Sequence, residues 1–331
     1  YDYAHRYMVE FNFGYNGSEN FAKGKRYGLF PSVSLGWNLT NEPYMPDVIK
    51  DNMTFKLRGS YGVVGNDQIG GDRFLYVSTV NYGNGAYFGD TQQYLSGIYE
   101  GKIGADVTWE KAYKANVGFD MAFLDDALTF QVDWFNEDRK DILLSRGGIP
   151  IVTGITAATY ANLGEVNNTG VDAMIEWKKQ TASGFYYSFY GNFTYAHNTI
   201  IEDDTPAPKW DYQNTRGTSI GQTLGYVALG LFQSEEEIAN SPKQTFMTTV
   251  RPGDVKYADL NKDGIIDAYD RTYIGFSRTP EIMYGFGVAL AYKGWDLSLG
   301  FTGAARASMF LNSEDMWPYS LEYPRYNISR E

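Results

Sequence analysis

The amino-acid sequence predicts an all-β fold, an arc of a large antiparallel transmembrane β-barrel that contains about ten strands. Apolar and polar residues alternate with a period of two along stretches longer than ordinary soluble strands. Aromatic residues make up 17% of the 331 residues and charged residues only 21%, a mixture that suits strands and tight turns. Long and short connections alternate between the predicted strands, as the two sides of a membrane require.

The first two predicted strands show the alternation most clearly. Between residues 6 and 15, one face carries Tyr7, Val9, Phe11, Phe13 and Tyr15. Between residues 27 and 40, one face carries Leu29, Val33, Leu35, Trp37 and Leu39. Soluble strands usually have about five or six residues, and the second run is more than twice that length. Both runs therefore indicate strands that cross a bilayer.

Seven further runs follow the same rule, and a weaker tenth strand is predicted around residues 225–232. The seven cover residues 55–63, 109–121, 128–134, 171–177, 185–195, 282–292 and 295–302. Charged residues lie on one face only, which is predicted to line the lumen: Lys56, Arg58, Glu110, Asp120, Asp172 and Glu176. The opposite aromatic and aliphatic face is predicted to contact outer-membrane lipid.

Aromatic residues near the strand ends suit the interfacial girdles of a membrane barrel, although each is equally consistent with core packing. These residues are Tyr7, Tyr15, Tyr27, Trp37, Trp109, Trp134, Trp177 and Trp295. Tight turns are predicted at residues 124–127, 180–184 and 293–294. Residues 201–279 are predicted to form one long extracellular loop.

Composition argues against several classes of function. The net charge of −12 would repel a phosphate backbone, so no nucleic-acid binding is predicted. The sequence has no cysteine, which removes thiol chemistry, and its two histidines do not have the spacing of a paired metal-ligand motif, which argues against a histidine-based metal centre. No nucleophile, base and acid set has a recognisable spacing, and the protein is predicted not to be an enzyme.

A calcium-type loop is predicted between residues 259 and 270. Its side-chain oxygens stand at positions 1, 3, 5, 9 and 12, with glycine at position 6 and a backbone carbonyl at position 7, which is the spacing of a calcium-binding loop. In order, these are Asp259, Asn261, Asp263, Asp267 and Asp270, with Gly264 and the carbonyl of Ile265. We expect a structural Ca²⁺ ion here. A metal-free acidic turn is the alternative.

Two further features lie in predicted outside loops. Four aromatic residues could stack on sugar rings, although plain loop packing is the favoured alternative: Trp210, Tyr212, Trp317 and Tyr319. Ser234 followed three residues later by Glu237 matches a capping box and predicts a short helix.

Several segments, in order along nearly the whole chain, resemble the SusC/RagA family of TonB-dependent outer-membrane transporters. The longest is Arg-Tyr-Gly-Leu-Phe-Pro-Ser-Val-Ser-Leu-Gly-Trp at residues 26–37. The others lie at residues 57–66, 108–111, 138–143, 164–170, 225–232, 252–254 and 279–286. Each short segment is weak alone, but the ordered set is highly specific.

The resemblance implies a 22-stranded barrel with an N-terminal plug, a SusD-like surface lipoprotein as partner, and energy from the TonB complex. It implies import of oligosaccharides or peptides. Residues 1–331 are expected to be a partial barrel domain without the plug, the TonB-contacting part or the barrel ends. The alternative from another class is a secreted, calcium-stabilised β-sandwich that binds polysaccharide.

Overall fold

The computed structural model describes residues 1–70, 73–155, 157–247 and 249–311. The eighteen strands of the described residues are β1 (Asp2–Tyr3), β2 (Tyr7–Gly17), β3 (Tyr27–Asn38), β4 (Met53–Asn66), β5 (Val80–Phe88), β6 (Gln93–Glu100), β7 (Glu110–Phe123), β8 (Leu128–Ser145), β9 (Tyr160–Gln180), β10 (Tyr186–Glu202), β11 (Thr223–Tyr226), β12 (Ala228–Leu231), β13 (Lys243–Gln244), β14 (Val255–Tyr257), β15 (Ile265–Ile266), β16 (Arg271–Ile274), β17 (Ile282–Tyr292) and β18 (Trp295–Ala305).

Helical structure is sparse. The described part of the chain has two α-helices, α1 (Asp47–Asn52) and α2 (Glu235–Ala239), and single 3₁₀ turns at Leu39–Asn41, Ile151–Thr153, Asp211–Gln213 and Ala268–Asp270. Within the described ranges, no helix has the length and apolar character needed to span a membrane.

Ten strands form one antiparallel sheet in the order β1-β2-β3-β4-β7-β8-β9-β10-β17-β18. All nine strands with a clear alternating pattern are present in this sheet. The tenth prediction was wrong, because residues 225–232 form parts of β11 and β12, which pair inside the long connection after β10. The tenth member of the sheet is the two-residue strand β1. Residues 225–232 are too short a run, interrupted by Gly225 and Gly230, to form a strand of the large sheet.

The connections between strands differ in length at the two ends of the sheet, which we call the short-turn end and the long-loop end. At the short-turn end lie residues 39–52, 124–127, 181–185 and 293–294. At the long-loop end lie residues 18–26, 67–109, 146–159 and 203–281. The predicted alternation of length fails once, because residues 18–26 form a shorter connection than residues 39–52, which contain a 3₁₀ turn and α1.

The sheet has an apolar outer face and a polar inner face, as predicted. Val117, Trp134, Val171, Tyr195 and Ile282 are successive register partners and form one apolar row across β7, β8, β9, β10 and β17. The next outer-face row toward the long-loop end changes to Asn136, Thr169 and His197. On β8, β9 and β10 this abrupt change marks the border of the apolar band, because polar side chains are costly against hydrocarbon. Strands of a membrane barrel are tilted, so the border crosses the other strands at other register positions.

The largest cluster of buried apolar side chains lies at the long-loop end. Phe21 and Leu75, from two different loops, are 0% and 4% exposed and pack with Phe30, Ala105, Val107 and Trp109. Trp109 is 6% exposed, with ring centroids 5.2 Å from Phe21 and 5.1 Å from Phe30. Its indole N–H donates to the Arg26 carbonyl at 3.2 Å. Trp109 therefore belongs to a core and not to a lipid-facing girdle, because the preceding loop folds over it.

A buried carboxylate organises the short-turn end of β2 and β3. The Tyr7 hydroxyl donates to Glu42 Oε1 at 2.5 Å and the Trp37 indole N–H donates to the same oxygen at 2.8 Å. Arg6 lies 3.7 Å from Glu42 Oε2. Glu42 is 4% exposed. These two hydrogen bonds lower the pKa of the Glu42 carboxyl below its ordinary value, and the bond from Tyr7 has the larger effect.

We expect this cluster to loosen in acid. A carboxyl with a lowered folded-state pKa stabilises the fold above its ordinary pKa of about 4.3, and that contribution is lost as the pH falls through the folded-state pKa. Glu42→Gln should loosen the cluster already at pH 7 and flatten the dependence on pH. Proteolysis of residues 39–52 between pH 7 and pH 3 measures both effects. Equal acid sensitivity of wild type and Glu42→Gln would contradict this assignment.

Candidate functional site

The inner face of the sheet carries an ion-pair network centred on Arg58. One guanidinium nitrogen, Nη2, donates to Asp120 Oδ1 at 2.9 Å and to Asp133 Oδ2 at 2.7 Å. Arg58 and Asp133 are both register partners of Gly118, which lies between them on β7. A Cβ on Gly118 would stand 2.2 Å from Asp133 Oδ1. The absence of a side chain at Gly118 therefore lets the ion pair cross β7.

The same inner row continues across the next strands. Asp133 faces Asp172 on β9, and Asp172 accepts a hydrogen bond from the Thr194 hydroxyl at 2.7 Å. An open concavity of about 480 Å³ lies toward the other edge of the sheet, with Glu10, Lys56 and Arg58 among its lining residues. The inner face thus presents carboxylates and cations together at the level of the apolar outer band.

The connection between β10 and β17, residues 203–281, is a folded unit. It contains the two-stranded pairs β11-β16, β12-β14 and β13-β15, the last of which is parallel. Its interior holds Phe232 and Ile266, which are 3% and 1% exposed. Tyr226 packs against Phe246 and Tyr257 at ring-centroid distances of 4.8 and 5.4 Å. The sequence predicted a long loop with a short helix and a calcium-type loop inside it, and it did not predict these strand pairs.

Ion pairs fasten this unit to the sheet. Arg216 donates to Glu202 Oε1 from Nε at 3.0 Å and from Nη2 at 2.6 Å. Arg146, which follows β8, donates to Asp204 at 2.8 Å. The Ser219 hydroxyl donates to the Asn198 carbonyl at 2.9 Å. The long connection is therefore tied to the ends of β8 and β10 and stands over the long-loop end.

The predicted calcium-type loop adopts a tight conformation. Gly264 has φ +83°, a value that favours glycine, and its N–H donates to Asp259 Oδ2 at 2.8 Å. The N–H groups of Asp263 and Ile265 donate to Asn261 Oδ1 and Asp263 Oδ1, both at 2.9 Å. Asp259 Oδ1 is buried and has no hydrogen-bond partner. The loop thus folds around an oxygen that lacks a donor.

The last two acidic residues of the loop accept hydrogen bonds from its own backbone. Asp270 is fully buried, and its Oδ1 accepts from the Leu260 N–H at 2.8 Å while its Oδ2 accepts from the Asp267 N–H at 2.9 Å. Asp267 accepts from the Tyr269 N–H at 2.7 Å and caps the 3₁₀ turn that follows. Among the residues that the structure describes, no three acidic or histidine side chains already form a metal-binding group.

The aromatic residues predicted to contact sugars lie beside this loop or outside the described residues. Trp210 and Tyr212 stack at 6.1 Å, and the Tyr212 hydroxyl donates to the Tyr269 carbonyl at 2.7 Å. Burial is the main cause of a raised pKa of the Tyr212 hydroxyl, and the negative charge of Asp270 raises that pKa further. Trp317 and Tyr319 lie outside the described residues. The structure brings Trp210 and Tyr212 together and joins them to the calcium-type loop.

Two polar clusters complete the long-loop end. The predicted short helix is present as α2, and Ser234 is its N-cap, since the Glu237 N–H donates to Ser234 Oγ at 3.2 Å. The capping box itself is incomplete, because Glu237 Oε2 accepts from the Gln233 N–H at 2.8 Å and not from the Ser234 N–H. A second cluster was not predicted: Glu281 is 4% exposed and lies 2.7 Å from both His197 Nδ1 and Arg306 Nε. Glu281 lies just before β17 and Arg306 just after β18. The pairing of these two strands brings the two side chains together, and no local sequence signal predicts this contact.

The chain matches the family model for the β-barrel of TonB-dependent receptor-like proteins over residues 1–326. This chain belongs to that family. It is 30% identical over 316 residues to TonB-dependent receptor P3 of Formosa agariphila, covering 91% of this chain and 30% of the relative. It is 29% identical over 315 residues to TonB-dependent receptor SusC of Bacteroides thetaiotaomicron, covering 90% of this chain and 29% of the relative.

Solved structures confirm the barrel fold of this TonB-dependent receptor chain. The RagAB peptide transporter aligns with a TM-score of 0.69 at 20% identity, over 91% of this chain and 31% of that one. The RagAB peptide importer in the open-open state aligns with a TM-score of 0.70 at 21% identity, with the same coverage. The chain therefore spans about 30% of the length of the relatives it matches.

Membership of the family places the sheet in the outer membrane and explains its two faces. The apolar outer row at Trp134 and Val171 contacts lipid, and the network around Arg58 lines the interior. Ten strands form the sheet, and in the described residues its edge strands β1 and β18 do not pair with each other. The sheet is therefore an arc of a barrel wall, as the sequence predicted.

Proposed function

We propose that the protein to which this chain belongs imports oligosaccharides or peptides across the outer membrane, with energy from the TonB complex and a SusD-like surface lipoprotein as its partner. The observation that carries this proposal is a ten-stranded arc with a polar inner face. Barrel diameter grows with strand number, so an arc of ten unclosed strands belongs to a wide barrel. A wide, polar interior suits nutrients too large for a narrow pore.

The secreted β-sandwich that the sequence left as an alternative is wrong. A sandwich buries the facing sides of two packed sheets. In the described residues there is one ten-stranded sheet, and the four other sheets have two strands each, too few to form the second layer of a sandwich. The family match over residues 1–326 leads to the same conclusion.

The long-loop end supports the proposed surface role. Barrels of the outer membrane have short periplasmic turns and long extracellular loops, which assigns residues 203–281 to the cell exterior. Arg216, Glu202 and Arg146 hold that unit in place over the barrel. We infer transport and not catalysis, because the chain belongs to a family of transporters and its charged clusters are ion pairs between strands and loops.

Both substrate classes remain within the proposal. Lys56 and Arg58 on the inner face can meet the carboxylates of a peptide, while Asp120, Asp133 and Asp172 can accept hydrogen bonds from sugar hydroxyls. For an oligosaccharide substrate, we propose that the sugar rings stack on Trp210 and Tyr212, with Trp317 and Tyr319. The hydrogen bond from Tyr212 to the Tyr269 carbonyl supports a packing role for that ring as well.

Growth of a deletion strain tests the proposed function. Deleting the parent gene should abolish growth on one oligosaccharide or peptide while leaving growth on its monomers intact, and the parent gene on a plasmid should restore growth. Purification in mild detergent should recover a surface lipoprotein in equal amount. Normal growth on every complex nutrient tested, together with a transporter that purifies alone, would refute the proposal.

We also propose that residues 259–270 bind Ca²⁺ as a structural ion. Asp259 Oδ1, which is buried without a partner, supplies an oxygen suited to a hard cation. Asn261, Asp263, Asp267 and the Ile265 carbonyl would provide the other oxygens. Asp270 would hold the loop closed through its backbone hydrogen bonds. A bound cation would offset the repulsion among four carboxylates within twelve residues.

Asp263→Ala should weaken this loop. Calcium sites in extracellular modules have dissociation constants of about 10⁻⁴ to 10⁻³ M, so we expect protection from protease at millimolar Ca²⁺ and its loss with EDTA. The variant should be sensitive in both conditions, with the barrel intact. Asp211→Ala, an exposed acidic residue of the same unit, is the control. Identical cleavage of wild type with Ca²⁺ and with EDTA would exclude a structural calcium ion.

A further inference from the structure

A cluster of charged side chains lies on the outer face where β10, β17 and β18 reach the border of the apolar band. On β10, Tyr195 lies in the last apolar row and His197 begins the polar surface beyond it. Ile282 of β17 is the register partner of Tyr195, and Ala305 of β18 is the register partner of Ile282. Arg306 follows Ala305 directly after the end of β18. The cluster therefore adjoins the surface that contacts lipid.

Two aromatic rings hold the Arg306 guanidinium on the outer face. Its Cζ atom lies 5.8 Å from the ring centroid of Tyr195 and 4.9 Å from that of Phe276. Cations over aromatic rings are attracted by the ring quadrupole, and the planar guanidinium stacks well on such rings. Because Tyr195 belongs to the outer apolar row, the guanidinium lies outside the barrel wall, at the edge of the lipid-contacting surface.

A buried carboxylate orients this guanidinium. Glu281 is 4% exposed, with Oε2 at 2.7 Å from Arg306 Nε and Oε1 at 2.7 Å from His197 Nδ1. The terminal nitrogens of Arg306, Nη1 and Nη2, donate no hydrogen bond to any residue that the structure describes. The Nε side of the guanidinium thus faces Glu281, and both of its NH₂ groups are left for an anion.

Arg278 lies in a segment that is hydrogen-bonded to the segment containing Arg306. The Phe276 N–H donates to Ser308 Oγ at 2.8 Å, and the Ser308 N–H donates to the Ser277 carbonyl at 3.0 Å. Arg278 is exposed, and it has no ion-pair partner in the part of the chain that the structure describes. Two arginines are therefore brought to the same end of β17 and β18.

The local charge favours an anionic ligand. Residues 276–282 and 304–310 contain two arginines and one carboxylate, Glu281, which is a formal charge of +1 in a chain whose net charge is −12. Glu281 is buried, so the arginines dominate the exposed part of the cluster. Asp138 also lies on the outer face, but it is on β8, two strands from His197, and accepts a hydrogen bond from Asn167 at 2.6 Å.

The position of the cluster decides which anion it meets. A nutrient in the lumen is on the other side of the barrel wall. Tyr195 and Ile282 contact lipid directly beside the cluster, so a phosphorylated lipid can place its acyl chains on the apolar row and its phosphate on Arg306 at the same time. Basic clusters at the membrane surface recognise such head groups, and arginine forms paired hydrogen bonds to phosphate oxygens.

We propose that Arg306 and Arg278 bind the phosphate group of a phosphorylated lipid in the outer leaflet of the membrane. The two NH₂ groups of Arg306 hold the phosphate, and Arg278 adds a second positive charge. Glu281 is a positioning residue, because it faces Nε of Arg306 and leaves the terminal nitrogens to the lipid. The choice of leaflet rests on the proposed function, which puts the long-loop end outside the cell. The phosphate chemistry does not depend on transport.

The test measures binding of lipid A, with and without its phosphate groups, to the full-length transporter in detergent by native mass spectrometry. Wild type should bind the phosphorylated form at least about 10-fold more tightly, as expected for hydrogen bonds to a charged group. Arg278→Gln should weaken binding of the phosphorylated form about 10-fold and leave binding of the phosphate-free form unchanged. Heat-modifiable mobility on gels checks that each variant folds.

Arg306 needs a paired substitution, because its loss alone would leave a buried carboxylate without a counterion. Arg306→Gln together with Glu281→Gln should weaken binding of the phosphorylated form on the order of 10- to 100-fold. Arg306→Lys keeps the charge and loses the planar fork, so its effect should be smaller. Lys293→Gln is the matched control: it removes a cation that lies 5.2 Å from the Tyr292 ring centroid at the short-turn end, and it should change binding less than about 2-fold.

Three results would overturn the proposal. Equal binding of phosphorylated lipid A by wild type, Arg278→Gln and the paired variant would show that these arginines do not hold the phosphate. Inorganic phosphate that binds wild type as tightly as the phosphorylated lipid would assign the site to the free ion. Tighter binding of phosphatidylglycerol than of lipid A would contradict the outer leaflet. Failure of the proposed function appears instead in growth and in partner purification, which this lipid measurement does not involve.

Discussion

Arginine at Val33 is expected to destabilise the barrel by about 2 to 4 kcal/mol, the cost of a cationic side chain on the lipid face near the bilayer midplane. Val33 lies on the outer face of β3, between register partners Phe11 on β2 and Tyr61 on β4. Aromatic residues Tyr27 and Trp37 lie at the two ends of this strand, so Val33 is close to its centre. The guanidinium would have to leave water for hydrocarbon.

Neighbouring positions on β3 provide matched controls. Ser34→Arg places the same side chain on the inner face, where it meets the polar concavity, and should cost much less. Leu35→Arg lies on the lipid face but closer to Trp37, so its cost should fall between the two. The free energy of unfolding of the parent protein in lipid vesicles, from guanidinium titration followed by tryptophan fluorescence, measures all three. Equal destabilisation by Val33→Arg and Ser34→Arg would contradict the assignment of the two faces.

Replacing Trp109 with alanine is expected to cost about 3 to 5 kcal/mol, the range for removing a large aromatic side chain from a core. Its ring contacts Phe21 and Phe30, and its N–H donates to the Arg26 carbonyl. The substitution would leave a cavity between residues 18–26 and 67–109 and an unpaired carbonyl. Both loops should become sensitive to protease, while the strands below them stay paired.

Two variants refine this prediction. Trp109→Phe keeps most of the ring and loses the hydrogen bond, so its cost should be smaller than that of alanine. Tyr44→Ala removes a 66% exposed aromatic side chain at the short-turn end and should change stability by no more than about 0.5 kcal/mol. Cleavage of residues 67–109 in folded protein measures the effect. Trp109→Ala with the protease resistance of wild type would show that this cluster does not stabilise the loops.

The strands and their two faces could be predicted because period-two alternation is a local property of the chain. A residue such as Leu35 differs from Ser34 in polarity whatever the register of the sheet, since successive side chains point to opposite faces. The calcium-type loop follows the same logic, because Gly264 and the Asx turns at Asn261 and Asp263 depend on residues within the loop. The short helix capped by Ser234 is local as well.

The burial of Trp109 is a feature that local alternation does not predict. Its position continues the alternation of β7 and resembles a girdle residue, yet Phe21 and Leu75 cover it from loops distant in sequence. The strand predicted at residues 225–232 failed for a related reason. Its residues pair with β14 and β16 within a separate folded unit, where Leu229 and Leu231 stay exposed, and local alternation does not identify the strand that a segment pairs with.

By itself the sequence determined the all-β class, nine of the strands, the lipid and lumen faces, and the resemblance to the transporter family. Tertiary structure decided the rest. The register brought Arg58 to Asp133 across Gly118, and His197 to Glu281 and Arg306, because these contacts join strands or loops far apart in the chain. Alternation specifies which way a side chain points, whereas only the pairing of strands and the packing of loops specifies which other side chains it meets.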